Sequence, residues 1–513
     1  MASNPPPDPP ELPDPRANVT RGEVARGAGL AGLSRATALI DAVAQPLYIG
    51  LYGLPAYGLY VALWATINLV ENLVDLSLTS ALQRIVPTED DETAHGAVKA
   101  AFLLTVLPAA LIALLVTLNA DWVAGFFSSA AEDEAALPRA VALFAWALPL
   151  WTFIEIATSA ARARRAFGPE IRLRLFWEQI ARILFALGFF ALGAGSVGLV
   201  LAHLSSLALT ALLCVPLLGR YYDPGLLVRA PIPRADVRLL LTTGFALLPA
   251  NAARRLLIDA PAILLNLALP GASGAVASGL FEIARKIATL PLAVRQAFQY
   301  VMAPVAAHQA RADRAEIAPL YRFASRVSTA LVVPLAGLLA FTGRDILSVF
   351  RPEVMAALPI LYVLVAARAA EAIVGPATPI VEMTGHRLLP LLNSLVGVAV
   401  WAGLALLLVP RYGAAGMAVA VGAATVAIAY AATLELKLTE GLSPFDGKLL
   451  RGLFVALLGV ALMGLAARWT SGPLRFASVL VLWGIASWCA LRFGLVRGDR
   501  EALGGLARRL RLI

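Results

Sequence analysis

Residues Leu54–Pro87 read LPAYGLYVALWATINLVENLVDLSLTSALQRIVP, and Leu269–Pro304 repeats their plan as LPGASGAVASGLFEIARKIATLPLAVRQAFQYVMAP. Both stretches open on Leu-Pro and close on a proline after two apolar residues. Further matches keep a separation of between 215 and 218 residues. They are Ile40-Asp-Ala42 with Ile258-Asp-Ala260, Glu155 with Glu371, Gly168 with Gly385, and Gly195–Gly198 with Gly413–Gly416. The chain is therefore a duplication of one unit of helices.

The composition requires a membrane environment. Hydrophobic residues make up 59% of the 513 residues and charged residues 15%, and the mean hydropathy is +0.77. The apolar runs predict an all-α, polytopic membrane protein of about fourteen transmembrane helices, each of about 20 residues. We expect two pseudo-symmetric six-helix lobes and a C-terminal helix pair. A duplicated membrane unit with polar helices is typical of a transporter whose site lies between the repeats.

The apolar runs and the charges also predict boundaries and orientation. We expect a Pro-rich, disordered cytoplasmic tail at 1–29, an N-terminal lobe at 30–220, a C-terminal lobe at 238–440, an extra helix pair at 449–493 and a basic cytoplasmic tail at 494–513. Lys and Arg concentrate in alternate loops, which predicts a multi-pass membrane protein with both termini in the cytoplasm. This bias accounts for the net charge of +9 without nucleic-acid binding. A monomer is sufficient for this architecture.

The loops exclude the common membrane enzymes. They are too short for a soluble domain, and no GxxxxGK[ST] phosphate loop occurs. The acidic run Glu89–Glu92 lacks the spacing of a metal site and is expected to be solvated. Cys214 and Cys489 lie apart in apolar helices. We therefore predict a transporter with no catalytic residue, metal or cofactor.

Cations inside apolar segments are the first functional signal. Each costs about 3 kcal/mol at the bilayer centre, so these side chains must pair with acids or face a wet cavity. The set is Arg35, Arg182, Arg254, Arg255, Arg285, Lys286, Arg295 and Arg368. Because the forked guanidinium matches phosphate oxygens, a cationic cleft indicates an anionic substrate such as a phosphate or diphosphate.

Polar stripes on the same helices are the second signal. Asn68, Glu71, Asn72 and Asp75 stand at positions i, i+3, i+4 and i+7 and so share one helix face. Segments 238–268 and 275–303 carry similar stripes, which include Asn251 and Gln296. Carboxylates near the midplane can take up a proton or Na⁺ and couple transport to a gradient. The candidates are Asp41, Glu71, Asp75, Glu155, Asp259 and Glu371.

The same charges also allow a purely structural interpretation. Glu282 with Lys286, Arg255 with Asp259, and Glu178 with Arg182 are each four residues apart, and such pairs can simply neutralise one another. We favour that interpretation for Glu178 and Arg182. For the cluster in 238–303 we favour a substrate site, because Arg254, Arg285 and Arg295 lack an obvious local acid.

Four motifs resemble a known family. They are Leu54-Pro-Ala-Tyr-Gly-Leu-Tyr60, Leu257-Ile-Asp259 before Leu269-Pro-Gly271, Ala303-Pro304, and Val409-Pro-Arg-Tyr-Gly-Ala-Ala-Gly416. In order and spacing they are similar to the O-antigen and exopolysaccharide flippases of the multidrug/oligosaccharidyl-lipid/polysaccharide exporter (MOP) superfamily. The similarity spans roughly residues 25–445.

The resemblance implies a flippase of the bacterial inner membrane for undecaprenyl-diphosphate-linked oligosaccharide in envelope polysaccharide or lipopolysaccharide biosynthesis. It implies alternating access by two rocking lobes around a cationic cavity, with a polysaccharide polymerase and a chain-length regulator as partners. On this view some of Arg35, Arg254, Arg255, Arg285, Lys286, Arg295 and Arg368 hold the diphosphate, while Asn68, Asn72, Asn251 and Gln296 meet sugar hydroxyls. Coupling to H⁺ or Na⁺ would use the acids. The extra helix pair, which has few interior polar residues, is expected to be a peripheral clamp rather than a lipid-tail groove.

Three alternatives stay open. A multidrug efflux antiporter would prefer an acidic, aromatic cavity, which the intramembrane arginines argue against. A lipid II flippase would want the same cationic cleft, and its loss would be lethal. A non-transporting scaffold of a polysaccharide assembly complex would tolerate charge reversal in the cleft.

Overall fold

The computed structural model describes residues 43–164, 171–232, 234–292, 317–383 and 389–502, and the single positions 40, 166, 508, 509 and 511. Within this part of the chain all regular structure is helical, as the sequence predicts. The candidate site residues Arg35, Asp41, Arg295 and Gln296, and the predicted tail at 1–29, lie outside the described residues.

The described residues in the first half of the chain form ten α-helices. They are α1 (43–52), α2 (Leu54–Asp75), α3 (Leu78–Ile85), α4 (Asp91–Leu118), α5 (Ala120–Ala124), α6 (Leu137–Ala145), α7 (Ala147–Ala163), α8 (Glu178–Ala191), α9 (Val197–Leu218) and α10 (Pro224–Arg229). A π-helical segment, Ile171–Trp177, leads into α8.

The second half continues the series in its described part. It contains α11 (Arg234–Ala268), α12 (Ala272–Ile287), α13 (Ile317–Leu347), α14 (Leu358–Ile373), α15 (Ala377–Met383), α16 (Leu389–Thr439), α17 (Gly447–Trp469), α18 (Gly472–Gly494) and α19 (Arg497–Ala502). Gly413, with φ 53° and ψ −129°, kinks α16 where two spans are predicted. Only glycine adopts such a conformation without strain.

Polar residues at helix ends explain some boundaries. The Asp90 side chain accepts the Thr93 N–H at 2.8 Å and so caps α4, while Asp91 and Glu92 occupy its first turn. Acids at this position favour the positive end of the helix dipole. Asp91 also pairs with Arg164 at the end of α7. The acidic run Glu89–Glu92 therefore leads into the start of α4. The sequence predicts no metal site there.

Eight of the described helices are long and apolar enough to cross a membrane, and the bent pair α2 and α3 makes a ninth. The polytopic membrane fold is thus confirmed, and the number fourteen stays a prediction. α11 and α12 are polar because they carry the charged stripes. The axis turns by 45° between α2 and α3, at Leu76 and Ser77.

Helix α2 contacts the other half of the protein. Helix α2 packs on both α11 and α12. The approach is closest at Gly58, where an added Cβ atom would lie only 1.7 Å from the Ala275 carbonyl oxygen. Small residues at such a crossing let helix backbones approach closely in a membrane. α2 is therefore the central helix between the two predicted lobes.

The helices α17 and α18 form a pair that packs on α13. Gly452 faces Gly494 and Gly459 faces Ala486, so the two helices meet through small residues. Ion pairs fix this pair to both ends of α13. Arg326 pairs with Asp446 and with Asp499 at 2.5 Å, and Asp345 accepts a 2.8 Å hydrogen bond from Arg475 Nε. The role of the pair as a clamp stays a prediction.

Candidate functional site

Arg255 of α11 lies where α2 and α11 meet. Its Nε is 3.0 Å from Asp259 Oδ2, one turn further along α11, and one terminal nitrogen donates to Asn68 Oδ1 of α2 at 2.9 Å. One turn before Arg255, Asn251 Nδ2 donates to Ser77 Oγ at 3.0 Å. Two of the predicted asparagines therefore lie at the contact between the lobes, and Arg255 bridges it.

The cations of α12 adjoin this bridge. Arg285 donates two hydrogen bonds of 2.8 Å to Glu282, and Lys286 Nζ lies 3.9 Å from the same carboxylate. The predicted pair of Glu282 with Lys286 is thus the weaker contact. Arg285, three residues after Glu282, binds the carboxylate through two nitrogens of its guanidinium. Asp259 lies within electrostatic range of both Arg255 and Arg285.

The cluster has an excess of positive charge. Three cations, Arg255, Arg285 and Lys286, share the carboxylates of Asp259 and Glu282. The three cationic side chains are 25–29% exposed, whereas the two acids are buried. An anion with several oxygens could approach the arginines without displacing the buried acids. Arg254 is exposed on another face of α11.

A second cluster, on the N-terminal side, is acidic. Glu155 of α7 pairs with Arg174 at 2.5 Å, and the Arg174 guanidinium lies 4.4 Å from the Trp151 ring centroid. Asp75 accepts the Thr79 hydroxyl at 2.8 Å. Glu71, only 6% exposed, lies within electrostatic range of Glu155 and Asp75. Glu71 and Glu155 thus share Arg174, and Arg255 of the basic cluster is also in range of Glu71.

The described part of the chain offers Glu71 no hydrogen-bond donor. Asp75 and Glu155 each have one, from Thr79 and Arg174. A buried carboxylate without a donor is costly as an anion, so the site suits a bound proton or cation. No group of three or more His, Cys, Asp or Glu in the described residues is arranged to hold a metal ion.

A buried polar chain lies deeper in the N-terminal lobe. Arg182 pairs with Glu178, four residues earlier, and reaches the Tyr60 hydroxyl at 3.5 Å. That hydroxyl lies 2.9 Å from Nδ1 of His203, a fully buried residue of α9. All four side chains are buried, which fits the structural interpretation of the Glu178–Arg182 pair.

Glu371, the repeat equivalent of Glu155, lies apart from these clusters. It pairs with Arg368 at 2.8 Å beside Pro291 and Leu292. Among the described residues, no hydrogen bond or ion pair named above joins Arg368 or Glu371 to the Arg255 cluster. Each equivalent Glu has an arginine partner, but Arg174 comes from the π-helical segment and Arg368 from the same helix.

Sequence reasoning missed Arg174, because it falls in a run of arginines that resembles an ordinary cytoplasmic loop. Asn72 is half-buried and its Oδ1 has no hydrogen-bond partner in the described structure. Asn72 belongs to the same polar stripe of α2 as Asn68. An unbonded amide oxygen there is available to a ligand hydroxyl.

The first turns of α2 and α12 pack closely together, and further contacts lie at the same end of the protein. Besides the contact of Gly58 with Ala275, Ser128 and Asn266 exchange two hydrogen bonds of 2.9 Å, and Arg351 donates to the Gly50 carbonyl at 2.6 Å. The predicted orientation places this end outside. The structure is therefore closed on the predicted outer side.

A cavity of about 80 Å³ lies on the opposite face of α2 from Asn68. Leu63, Ile67, Val70, Val116 and Phe144 are among its lining residues, and Thr66 is the only polar one. Its hydroxyl already donates to the Ala62 carbonyl at 2.8 Å. This cavity suits apolar atoms and offers nothing to a phosphate.

Comparisons with known proteins identify relatives of this arrangement. A family model described as "Polysaccharide biosynthesis protein" matches residues 54–351. No curated protein sequence gives a significant match.

Solved structures match the fold at low identity. A lipid II flippase MurJ in an inward closed conformation has a TM-score of 0.72 and 12% identity, over 90% of this chain and 97% of that one. An inward-facing multidrug resistance MATE family transporter of the MOP superfamily has a TM-score of 0.61 and 13% identity, over 87% and 96%. A Vibrio cholerae MATE transporter has a TM-score of 0.59 and 14% identity, over 82% and 98%. The shared fold is that of a two-lobed membrane transporter.

Proposed function

Because the chain belongs to the polysaccharide biosynthesis protein family and has the MOP transporter fold, we propose that it moves polyprenyl-diphosphate-linked oligosaccharide across the bacterial inner membrane. The family and fold are those of a transporter, in agreement with the prediction that it is no enzyme. The substrate and the membrane are our proposal. A polymerase and a chain-length regulator would act on the translocated unit.

The observation that carries the proposal is the basic cluster at the lobe contact. Arg255, Arg285 and Lys286 exceed their two acids in charge and remain partly exposed. A diphosphate offers several acceptor oxygens to such donors. Asn68 and Asn72 lie on the facing helix, where amide groups can bond sugar hydroxyls. A cationic drug would instead meet repulsion at this position.

Arg255 links recognition to lobe movement in this proposal. One of its terminal nitrogens is bonded to Asn68 across the lobe contact. A phosphate oxygen competes with that neutral amide oxygen and makes the stronger, charge-assisted bond. Substrate binding at Arg255 therefore replaces a bond between the lobes with a bond to substrate, and favours their separation.

Cells that lack the protein test the substrate. We expect lipid extracts to accumulate one polyprenyl-diphosphate oligosaccharide, with loss of surface polysaccharide, because the unit is made inside and polymerised outside. Mass spectrometry of the extract identifies it, and a plasmid copy of the gene should restore both. Accumulation of lipid II with failure of cell-wall synthesis would indicate the lipid II alternative. Unchanged lipids and intact polysaccharide would overturn the proposal and favour drug export.

We further propose that the acidic cluster carries the coupling ion. Glu71 would take up a proton or a Na⁺ ion, while Arg174 limits its repulsion with Glu155. Asp259 and Glu371 each have an arginine partner within 3.0 Å, and are weaker candidates for that reason. Asp41, the remaining candidate, lies outside the described residues.

Replacement of Glu71 tests coupling. The amide of Glu71→Gln resembles the protonated acid and cannot release a proton, so we expect export to fall about tenfold or more and to become insensitive to an uncoupler. Export is measured as surface polysaccharide formed by cells before and after collapse of the proton gradient, and in media with and without Na⁺. Glu353→Gln, at an exposed position, is the matched control. Full, uncoupler-sensitive export in Glu71→Gln would remove Glu71 from coupling.

A further inference from the structure

The break between α2 and α3 has an unfavourable backbone. Leu76 has φ 50° and ψ 25°, and Ser77 has φ 60° and ψ 23°. Both are left-handed, and neither is glycine. A side chain with a Cβ disfavours this conformation about tenfold or more per residue relative to the right-handed helix. Two such residues in succession persist only where their surroundings hold them.

Part of the support comes from the helix itself. Asp75 accepts the Thr79 N–H at 3.2 Å and the Thr79 hydroxyl at 2.8 Å, which satisfies a donor at the start of α3. Leu76 N–H reaches the Leu73 carbonyl at 3.4 Å. These bonds terminate one helix and begin the next. They do not by themselves require the left-handed pair, since an unbroken helix would satisfy the same backbone groups.

The remaining support comes from the other lobe. Asn251 of α11 donates to Ser77 Oγ at 3.0 Å. Gly244, two turns earlier on α11, lies so close that an added Cβ would be 2.4 Å from the Leu76 carbonyl oxygen and 3.1 Å from Leu78 Cδ2. Only glycine permits this approach. The Leu76 carbonyl group is thus covered by α11.

Gly244, Asn251 and Arg255 share one face of α11, at spacings of seven and four residues. Their partners on the antiparallel helices α2 and α3 follow in the reverse order, with Asn68 opposite Arg255 and the break opposite Gly244 and Asn251. Every one of these contacts joins the two lobes. The lobe contact and the shape of the break therefore change together.

We propose that Gly244 and Asn251 are positioning residues for transport, which hold the Leu76–Ser77 break in its left-handed form only while α11 lies against α2 and α3. Separation of the lobes at this level frees the two residues to leave the left-handed region. The backbone strain at Leu76 and Ser77 thus opposes the contact between the lobes. A modest binding energy can then shift the equilibrium between the closed and the separated lobes. The inference rests on the proposed function only in that the lobes must separate.

A substitution series at Leu76 tests this directly. Glycine and asparagine tolerate the left-handed region, whereas β-branched valine does not. We expect the ratio of closed to separated lobes to rise in the order Leu76→Val, wild type, Leu76→Asn, Leu76→Gly, by about tenfold from wild type to glycine. Spin labels at Arg84→Cys of α3 and Arg238→Cys of α11, both exposed, report the ratio as pulsed-EPR distance populations. Cys214 and Cys489 are replaced by serine in this background.

Substitutions in α11 should produce the opposite change, toward separated lobes, and α16 offers a matched control. Gly244→Val should shift the distances toward separation, and Asn251→Ala should shift them the same way by less. Gly403→Val is the matched control, because no atom lies within 4 Å of a Cβ added there. If Gly244→Val fails to insert, Asn251→Ala and the Leu76 series decide. Identical distances across the Leu76 series, or a shift of Asn251→Ala toward the closed form, would overturn the proposal, whatever the substrate.

Discussion

Arg285→Glu is expected to abolish surface polysaccharide while the protein still reaches the membrane. In the wild type Arg285 is bonded at 2.8 Å through two nitrogens to Glu282, and lies near Asp259. Reversal converts the positive cluster into a negative one at the contact of the lobes. The loss of one charge-assisted phosphate contact costs about 2–3 kcal/mol, or roughly a hundredfold, and repulsion adds to it. Polysaccharide should therefore fall below about one hundredth of the wild-type level.

Two further variants separate loss of the site from loss of the fold. Arg285→Gln combined with Glu282→Gln removes both charges and leaves no buried acid without its partner, so it should insert normally and still fail to export. Arg285→Lys keeps the charge but not the fork, and an intermediate level is expected. Arg411→Glu, at an exposed position of α16, is the matched charge reversal. Wild-type polysaccharide in both Arg285→Glu and the double variant would exclude Arg285 from the site.

The repeat and the spacing of residues made much of the site predictable. The stripe from Asn68 to Asp75 and the pair of Arg255 with Asp259 follow from helical periodicity, which acts within one element. Periodicity paired Glu282 with Lys286 and left Arg285 without a local acid. The prediction for Arg285 is wrong, because Arg285, three residues after Glu282, makes the two shorter bonds to it, and spacing alone does not fix side-chain rotamers.

Contacts between distant segments could not be predicted in this way. The pair of Glu155 with Arg174 depends on a π-helical turn that rotates the arginine toward α7. Nothing in the local sequence around Leu76 and Ser77 predicts a left-handed break, and the close approach of Gly244 comes from a segment far along the chain. Arg326, near the edge of an apolar run, binds acids 120 and 173 residues away.

Arg326→Met is expected to destabilise the folded protein by about 3 kcal/mol, because it leaves two acids of the clamp without their cation. Arg326 is 8% exposed, and it bridges Asp446 at the start of α17 and Asp499 in α19. Partial burial raises the pKa of Asp446, but the hydrogen bonds from Arg326 and the Leu449 N–H outweigh it, so its pKa lies below the ordinary value. The pairing thus contributes stability above the ordinary carboxyl pKa, and loses it as the pH falls through the lowered value.

The thermal unfolding of the purified protein in detergent measures this effect. Arg497→Met is the matched control, because its partner pair with Glu501 has side chains 92% and 56% exposed and should contribute at most about 0.5 kcal/mol. Addition of Asp446→Asn and Asp499→Asn to Arg326→Met should restore most of the loss, since asparagine keeps the helix cap and neither position is then charged. If Arg326→Met unfolds at the same temperature as Arg497→Met, the ion pairs of Arg326 do not fasten α17 and α18 to α13. Their attachment would then rest on the packing of Gly337 against Val460 and Met463 and of Gly464 against Phe341, and on the pair of Arg475 with Asp345.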